Sequence, residues 1–269
     1  MQALPKWIIG EFAGTFLLVF FGCGSVCASV LTGAQAGVFQ GAIVWGLGIA
    51  TAIHLTGALS GAHLNPAVTV SMAAWSGFPK GRVVPYVAAQ VAGAFVAAAV
   101  LYLVFGDALE AYERGNGVVR GAPGSEASAM VFGEFFPNPG GKVLTVAARA
   151  RMTPMAAFGA EVVGTAILLL VIFCVTDERN KDRPGVLTAA TIGLTVTLLI
   201  SLLGPLTMAC FNPARDLGPR VFSSLAGWGA VPFQVNGHGW WMVYIVAPLV
   251  GGLLGGFLYR FFFKSGYAG

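Results

Sequence analysis

The sequence predicts an all-α membrane protein with six transmembrane helices and two re-entrant half-helices, arranged as an inverted three-plus-three repeat. Three observations lead to this fold class. First, 57% of the 269 residues are hydrophobic and only 10% are charged, whereas ordinary soluble domains carry about 25% charged residues. Second, the apolar residues form runs that are long enough to cross a bilayer. Third, the tripeptide Asn-Pro-Ala occurs twice, each time within apolar sequence.

Six apolar runs have the length of a membrane span, because a helix needs about 20 apolar residues to cross ~30 Å of hydrocarbon. The first run is too long for the apolar region of a cleavable leader and contains Glu11, so we expect it to remain as a membrane helix. The predicted spans are 7–31, 37–57, 83–105, 155–176, 185–204 and 240–263.

Each Asn-Pro-Ala motif predicts a helix that begins inside apolar sequence. Asn is a good helix N-cap, and Pro fits the first helical position, where its missing N–H costs nothing. The helices that begin at Asn65 and Asn212 run to about Ser76 and Leu225. Each would cover ~16 Å, roughly half a bilayer. Two helices that begin at membrane depth direct two positive N-terminal ends toward one point, which suits a passage for small neutral molecules and disfavours cations.

The chain also repeats itself. Glu-Phe-Ala-Gly-Thr at 11–15 is similar to Glu-Val-Val-Gly-Thr at 161–165, and each lies a similar distance before its Asn-Pro-Ala motif. We therefore predict a single channel domain at 1–269. It consists of a first repeat at 1–106, an outer segment at 107–154 on the extracellular or periplasmic side, and a second repeat at 155–269. A repeat of three spans crosses the membrane an odd number of times, so the second copy enters with the opposite orientation.

The distribution of basic residues predicts that both termini lie in the cytoplasm, because short cytoplasmic loops carry an excess of Lys and Arg. The loop at 32–36, on the opposite side, has no charged residue. The segment at 107–153 would then lie outside. It is too long for a plain connection, so we expect it to fold over the outer mouth. The basic residues of the short loops and tails are Lys6, Lys80, Arg82, Arg179, Lys181, Arg183, Arg260 and Lys264.

Several motifs resemble the aquaporin superfamily of major intrinsic proteins, and in particular its bacterial glycerol facilitator branch. Ser-Gly-Ala-His-Leu-Asn-Pro-Ala-Val-Thr at 60–69 is similar to the first motif of that branch. Gly-Pro-Leu-Thr at 204–207, followed by Asn-Pro-Ala-Arg-Asp-Leu-Gly-Pro-Arg at 212–220, is similar to the second. Val-Arg-Gly at 119–121 and Phe-Pro-Asn-Pro at 136–139 resemble its long outer loop.

The resemblance implies a passive channel, not an enzyme, for glycerol and other small neutral solutes. It implies some water permeation, exclusion of ions and protons, and no cofactor. It also implies a homotetramer surrounded by lipid in the bacterial inner membrane. Two alternatives remain open. One is a metalloid-acid, urea or lactic-acid pore of the same fold, and the other is a coupled secondary transporter, a class in which inverted repeats and intramembrane acids also occur.

The two motif asparagines are candidate donors at the centre of the pore. If the side-chain oxygens of Asn65 and Asn212 cap their helices, each amide NH₂ remains free to donate to a solute. We expect the segments before them to be extended, because irregular backbone at membrane depth is tolerated only where it lines a passage or is buried in protein. By resemblance, one pore wall consists of the backbone carbonyls of Gly61, Ala62, His63, Met208, Ala209 and Cys210.

Glu11 and Glu161 occupy matched positions in the two repeats. A carboxylate within a membrane span is costly and needs a partner. Both could accept N–H groups from the re-entrant segments, and we expect this structural support rather than proton or ion coupling, which is the alternative. Asp216, next to the second motif, is a third expected support by resemblance.

Arg215 lies in the first turn of its half-helix, where a cation is unfavourable for the helix dipole. As a pore-lining donor it would bind hydroxyl oxygens and repel cations. By resemblance, it forms the narrowest point together with Trp45, Ile200 and Ala209. The best-known glycerol facilitators have Gly in place of Ile200 and Phe in place of Ala209, so this set is closer to that of some plant nodulin-26-like channels.

The remaining features exclude other classes. The net charge of +4 does not predict a nucleic-acid partner, because the basic residues are scattered between apolar runs. The four cysteines all lie in apolar stretches without metal-ligand spacing, and we interpret them as reduced and structural. The sequence shows no nucleotide-binding loop, catalytic triad or metal cluster.

Overall fold

The computed structural model describes residues 4–35 and 37–268, and these residues are helical with connecting turns. Within them, six helices are long and apolar enough to cross a membrane. The predicted fold class is thereby confirmed. These spans are Lys6–Thr32, Val38–Ser60, Lys80–Val104, Pro154–Thr176, Gly185–Thr207 and Gly239–Phe263.

The helices follow one another along the chain as thirteen α-helical segments in the described residues, and π-helical turns extend the last span. They are α1 (Lys6–Thr32), α2 (Val38–Ser60), α3 (Pro66–Trp75), α4 (Val83–Val104), α5 (Gly106–Asn116), α6 (Glu126–Ala129), α7 (Val146–Arg149), α8 (Pro154–Thr176), α9 (Thr188–Thr207), α10 (Pro213–Ser223), α11 (Val231–Gln234), α12 (Gly239–Trp241) and α13 (Ala247–Leu258). The π-helical turns of the last span are Met242–Val246 and Tyr259–Phe263.

The half-helices α3 and α10 begin as the local sequence predicts. The side-chain oxygen of Asn65 accepts from the N–H of Ala67, and that of Asn212 accepts from the N–H groups of Ala214 and Arg215. Proline occupies the first position of both helices, where no N–H is needed. The half-helices end at Trp75 and Ser223, one and two residues before the predicted ends.

Each half-helix packs against a span from the other half of the chain. The half-helix α3 contacts α13, and α10 contacts α4, while α2 and α9 pack against each other between the two halves. Within the halves, α1 packs on α2 and α4, and α8 packs on α13 and α9. This exchange brings the N-termini of α3 and α10 together in the interior.

The outer segment between α4 and α8 contributes buried side chains. Phe132 and Phe135 have 1% and 0% of their surface exposed. Arg120 forms an ion pair with Glu113 at 2.7 Å, and its guanidinium lies over the ring of Trp228, 4.5 Å from the centroid. This part of the chain is therefore a packed element rather than a loose connection.

The contact between α2 and α9 depends on two glycines that face each other. A Cβ atom on Gly46 would lie 2.5 Å from the carbonyl oxygen of Gly193, and a Cβ atom on Gly193 would collide with the carbonyl of Gly46. Small residues permit such close approach of membrane helices.

We expect Gly46→Ala to destabilise the protein by about 1–3 kcal/mol, because the added methyl overpacks this contact. The measurement is the midpoint of thermal unfolding in detergent. Gly57→Ala is the matched control on the same helix, since its Cβ would meet no atom within 4 Å. Equal midpoints for the two variants would show that the α2–α9 approach does not limit stability.

Candidate functional site

Two cavities, which we call the inner and the outer cavity, share part of their lining. The inner cavity has a volume of about 360 Å³ and the outer cavity one of about 350 Å³. Trp45, Ile200 and Arg215 line both cavities, so these three side chains stand between them. Ala209 lines the inner cavity beside them. The structure thus brings together the four residues that the sequence analysis selected for the narrowest point.

Trp45 and Arg215 are fixed against each other at this point. The guanidinium carbon of Arg215 lies 4.6 Å from the centroid of the Trp45 ring, which is a cation–π distance. A Cβ atom on Gly22 would collide with the indole of Trp45, so glycine at this position makes room for the ring. Arg215 Nη1 also donates to the carbonyl of Phe132 at 3.2 Å.

The side chain of Arg215 also pairs with Glu134, a residue that was not predicted from the sequence. Arg215 Nη2 forms an ion pair with Glu134 Oε1, and the Glu134 side chain is 0% exposed. Neither carboxylate oxygen has hydrogen-bond geometry to a donor among residues 4–35 and 37–268. Glu134 lies within an apolar run at 130–136. Glu11 was predicted to be a structural support because an acid among apolar residues needs a partner. The same reasoning would have identified Glu134.

The two motif asparagines meet across the interior. Asn65 Nδ2 donates to the carbonyl of Phe211 at 2.8 Å, and Asn212 Nδ2 donates to the carbonyl of Leu64 at 2.8 Å. The prediction of wholly free amide groups was therefore wrong. One N–H of each NH₂ fixes the opposite re-entrant segment, and because an amide NH₂ has two donors, the second is left for the cavity that both residues line.

The re-entrant segments are also not simply extended, as the sequence analysis expected. Positive φ values occur at alternating residues, with 48° at Ala62 and 52° at Leu64, and again with 61° at Ala209 and 51° at Phe211. Left-handed residues within such a segment turn successive N–H groups toward one side, which creates a concave anion site. Met208, with φ of 67°, forms the left-handed cap of α9.

Glu11 occupies the concave site of the first segment. Its two oxygens accept from the N–H of His63 at 2.9 Å and from the N–H of Leu64 at 2.8 Å. Gln90 Nε2 donates to the same carboxylate at 2.7 Å. The carboxylate is completely buried, so these bonds compensate for its removal from water.

Glu161 has the same arrangement in the second segment. It accepts from the N–H of Cys210 at 3.0 Å and from the N–H of Phe211 at 2.8 Å. Thr207 takes the place of Gln90 and donates its hydroxyl at 2.6 Å. Each acid binds the N–H groups of one re-entrant segment. The carbonyl groups of that segment therefore remain available to other partners.

The residues selected for their carbonyl groups line the two cavities. Gly61, Ala62, His63, Ala209 and Cys210 line the inner cavity, and Met208 lines the outer one. The Cys210 side chain packs in a buried cluster with Phe136 and Tyr244, so it is the backbone of Cys210 that faces the cavity. Aliphatic side chains also line the inner cavity, including those of Leu18, Ile49, Leu168, Ile192 and Val196.

Asp216 joins the outer segment to α10. Its carboxylate accepts from Arg220 Nε at 2.7 Å and from the backbone N–H of Glu134 at 2.8 Å. Asp216 and Arg220 are both completely buried. Because this pair is neutral and well bonded, it holds Glu134 in place without adding net charge near the cavities.

This is a helical membrane protein in which two half-helices meet near a constriction between two cavities. Such an arrangement defines the class of inverted-repeat membrane pores. The chain belongs to the major intrinsic protein family, whose family model matches residues 2–259. The resemblance stated from the sequence is thereby confirmed.

Individual relatives fall within one part of this family. The glycerol uptake facilitator protein of Escherichia coli (strain K12) is 41% identical over 261 residues, which cover 96% of this chain and 88% of the relative. The propanediol uptake facilitator of Citrobacter freundii is 40% identical, with 97% and 93% covered. The crystal structure of the aquaglyceroporin from Plasmodium falciparum matches with a TM-score of 0.81 and 27% identity over 98% of both chains.

Proposed function

We propose that this protein is a passive channel for glycerol and similar small neutral solutes, with some passage of water and with exclusion of ions and protons. The observation that carries the proposal is the mixed lining of the inner cavity. The re-entrant backbone and two asparagines line it together with aliphatic side chains. A polyol has both hydroxyl groups and a carbon chain, so it can bind the polar and the apolar parts of this lining. The names of the bacterial relatives support the same solute class.

The constriction is the proposed selectivity filter. Trp45, Ile200 and Ala209 offer apolar surface to the carbon chain, and Arg215 offers N–H donors to the hydroxyl groups. Deeper in the membrane, Asn65 and Asn212 donate at the junction of the half-helices. Each helix N-terminus there carries roughly half a positive charge, so a cation meets repulsion where a neutral solute meets donors. Glu11, Glu161 and Asp216 act as structural supports.

The proposal includes the surroundings of the channel. The protein is an integral protein of the bacterial inner membrane, and both termini face the cytoplasm, as the basic loops favour. The division into repeats at 1–106 and 155–269 agrees with the matched contacts of Glu11 and Glu161. Exposed apolar side chains on α2 and α9, such as Leu55 and Leu202, would contact lipid or the neighbouring subunits of a homotetramer.

One observation weighs against the coupled transporter. Both oxygens of Glu11 and both oxygens of Glu161 accept backbone N–H groups. A proton bound to either carboxylate would compete with a backbone N–H group for an oxygen that already accepts it, so these acids are poorly suited to carry protons. A metalloid-acid, urea or lactic-acid pore of the same fold would be distinguished by a faster flux of that solute than of glycerol.

We expect proteoliposomes that contain the protein to shrink and re-swell in a glycerol gradient much faster than empty vesicles, without electrical current. Stopped-flow light scattering against glycerol, urea, water and longer polyols measures this. The flux should persist after a proton ionophore has collapsed the pH gradient. Loss of glycerol flux with the ionophore would support the transporter instead, and faster urea than glycerol flux would support a urea pore.

A further inference from the structure

Glu134 is the counter-charge of the filter arginine. It lies in the outer segment, contacts Arg215 Nη2 and is completely buried. It lines neither of the two cavities, so a permeating solute touches Arg215 and not Glu134. Any effect of Glu134 on permeation therefore acts through the charge and position of the guanidinium.

The other polar groups near Glu134 have partners of their own. On α10, Asp216 and Arg220 neutralise each other. On α8, Glu161 is bonded to the second re-entrant segment. The Cys23 thiol on α1, the Cys210 thiol and the Tyr244 hydroxyl on the last span donate to the carbonyls of Phe132, Asn212 and Thr207, respectively. Among these groups, Arg215 is the cation that contacts the Glu134 carboxylate.

We propose that Glu134 determines which ions the channel excludes, because its carboxylate cancels the charge of Arg215 and leaves the constriction neutral. This inference rests on the proposed filter. The two half-helix N-termini already supply about one positive charge in total. An uncompensated Arg215 would add a second and make the low-dielectric passage attractive to small anions. An uncompensated Glu134 would instead attract cations.

The Glu134–Arg215 pair therefore excludes ions of both signs. Glu134 keeps anions out by cancelling Arg215, and Arg215 keeps cations out by cancelling Glu134. Removal of either partner alone leaves a buried unpaired charge beside the passage, whereas removal of both leaves a neutral constriction. Neutral solutes still find the Trp45 ring and the asparagine donors in every case.

The test compares the wild-type protein with Glu134→Gln, Arg215→Val and the double variant in proteoliposomes. Nitrate uptake is measured with a nitrate-selective electrode, potassium influx with a potential-sensitive dye, and glycerol flux by light scattering. We expect Glu134→Gln to raise nitrate flux roughly tenfold or more, and Arg215→Val to raise potassium flux by a similar factor. The double variant should lose most of that potassium leak.

Glu113→Gln is the matched control. Glu113 is also a buried acid of the outer segment, and it pairs with Arg120 rather than with the filter. We expect its ion fluxes to equal those of the wild-type protein. Equal nitrate flux in Glu134→Gln, Glu113→Gln and wild type would overturn the proposal. Equal potassium leak in Arg215→Val and the double variant would also overturn it, because the leak would then not arise from Glu134.

The wild-type protein supplies a readout that needs no variant. Burial raises the pKa of the Glu134 carboxyl above its ordinary value, against the opposing effect of Arg215. Acidification of the outer solution protonates Glu134 and leaves Arg215 unpaired, so nitrate flux should rise as the outer pH falls. A flat profile would contradict the proposal. Wild-type glycerol flux tests the proposed function separately, since the ion fluxes are interpretable without it.

Discussion

Glu11→Ala is expected to prevent accumulation of folded channel, whereas Glu11→Gln retains a substantial folded fraction. The alanine variant leaves the N–H groups of His63 and Leu64 and the amide of Gln90 without their acceptor. Each unsatisfied buried donor costs about 1–3 kcal/mol. The sum is comparable to the whole stability of a typical protein, which is about 5–15 kcal/mol. Glutamine keeps one acceptor oxygen and therefore an intermediate stability.

Membrane yield and the thermal midpoint in detergent measure this order. Glu161→Ala should reproduce the loss, because Glu161 holds the second segment through equivalent bonds. Glu110→Gln is the control, since Glu110 lies on the exposed helix α5 with 63% of its side chain accessible. If Glu11→Gln were as stable as wild type but carried no glycerol, Glu11 would serve proton coupling rather than support.

The half-helices were predictable because their signal is local. An Asn followed by Pro satisfies the start of a helix within three residues, whatever surrounds it. The end of α9 was less predictable. The sequence predicts that this span ends at 204, before Pro205, but the helix continues through Pro205 to Thr207. Asn138 of the outer segment donates to the carbonyls of Gly204 and Leu206 at that end, and this stabilisation is not visible in the local sequence.

The Glu134–Arg215 pair and the left-handed residues of the re-entrant segments were missed for a related reason. Arg215 and Glu134 are far apart in sequence, and their contact is supported by Asp216, which accepts from the backbone N–H of Glu134 and so holds the outer segment against α10. The positive φ of Leu64 and Phe211 accompanies the bonds that their N–H groups donate to Glu11 and Glu161, which lie far away in the sequence. Neither feature has a periodic or compositional signal, although a search for isolated acids would have selected Glu134.

Substitutions that change the size of the constriction are expected to have the second large effect, which is on the polyols that the channel admits. Ile200 stands between the two cavities, and the hypothetical Cβ of Gly204 would lie 3.4 Å from its Cγ2 atom. We expect Ile200→Gly to admit longer polyols, because it removes the aliphatic side chain opposite Arg215. Ala209→Phe should lower glycerol flux several-fold, since a ring there enters the inner cavity beside Arg215 and Trp45. The double variant should recover glycerol flux, because the added ring occupies the space that the isoleucine left.

Stopped-flow measurement of glycerol and erythritol flux in the three variants tests whether a ring at position 209 can replace the side chain removed at position 200. Leu198→Gly is the control for the glycine itself, because Leu198 lies on the same helix with 55% of its surface exposed and lines neither cavity. Glycine within a helix costs about 1 kcal/mol relative to alanine, so yield is compared as well. An unchanged glycerol-to-erythritol ratio in both Ile200→Gly and Ala209→Phe would mean that neither residue borders the route of the solute. The opening would then have to be defined by Trp45 and Arg215 alone.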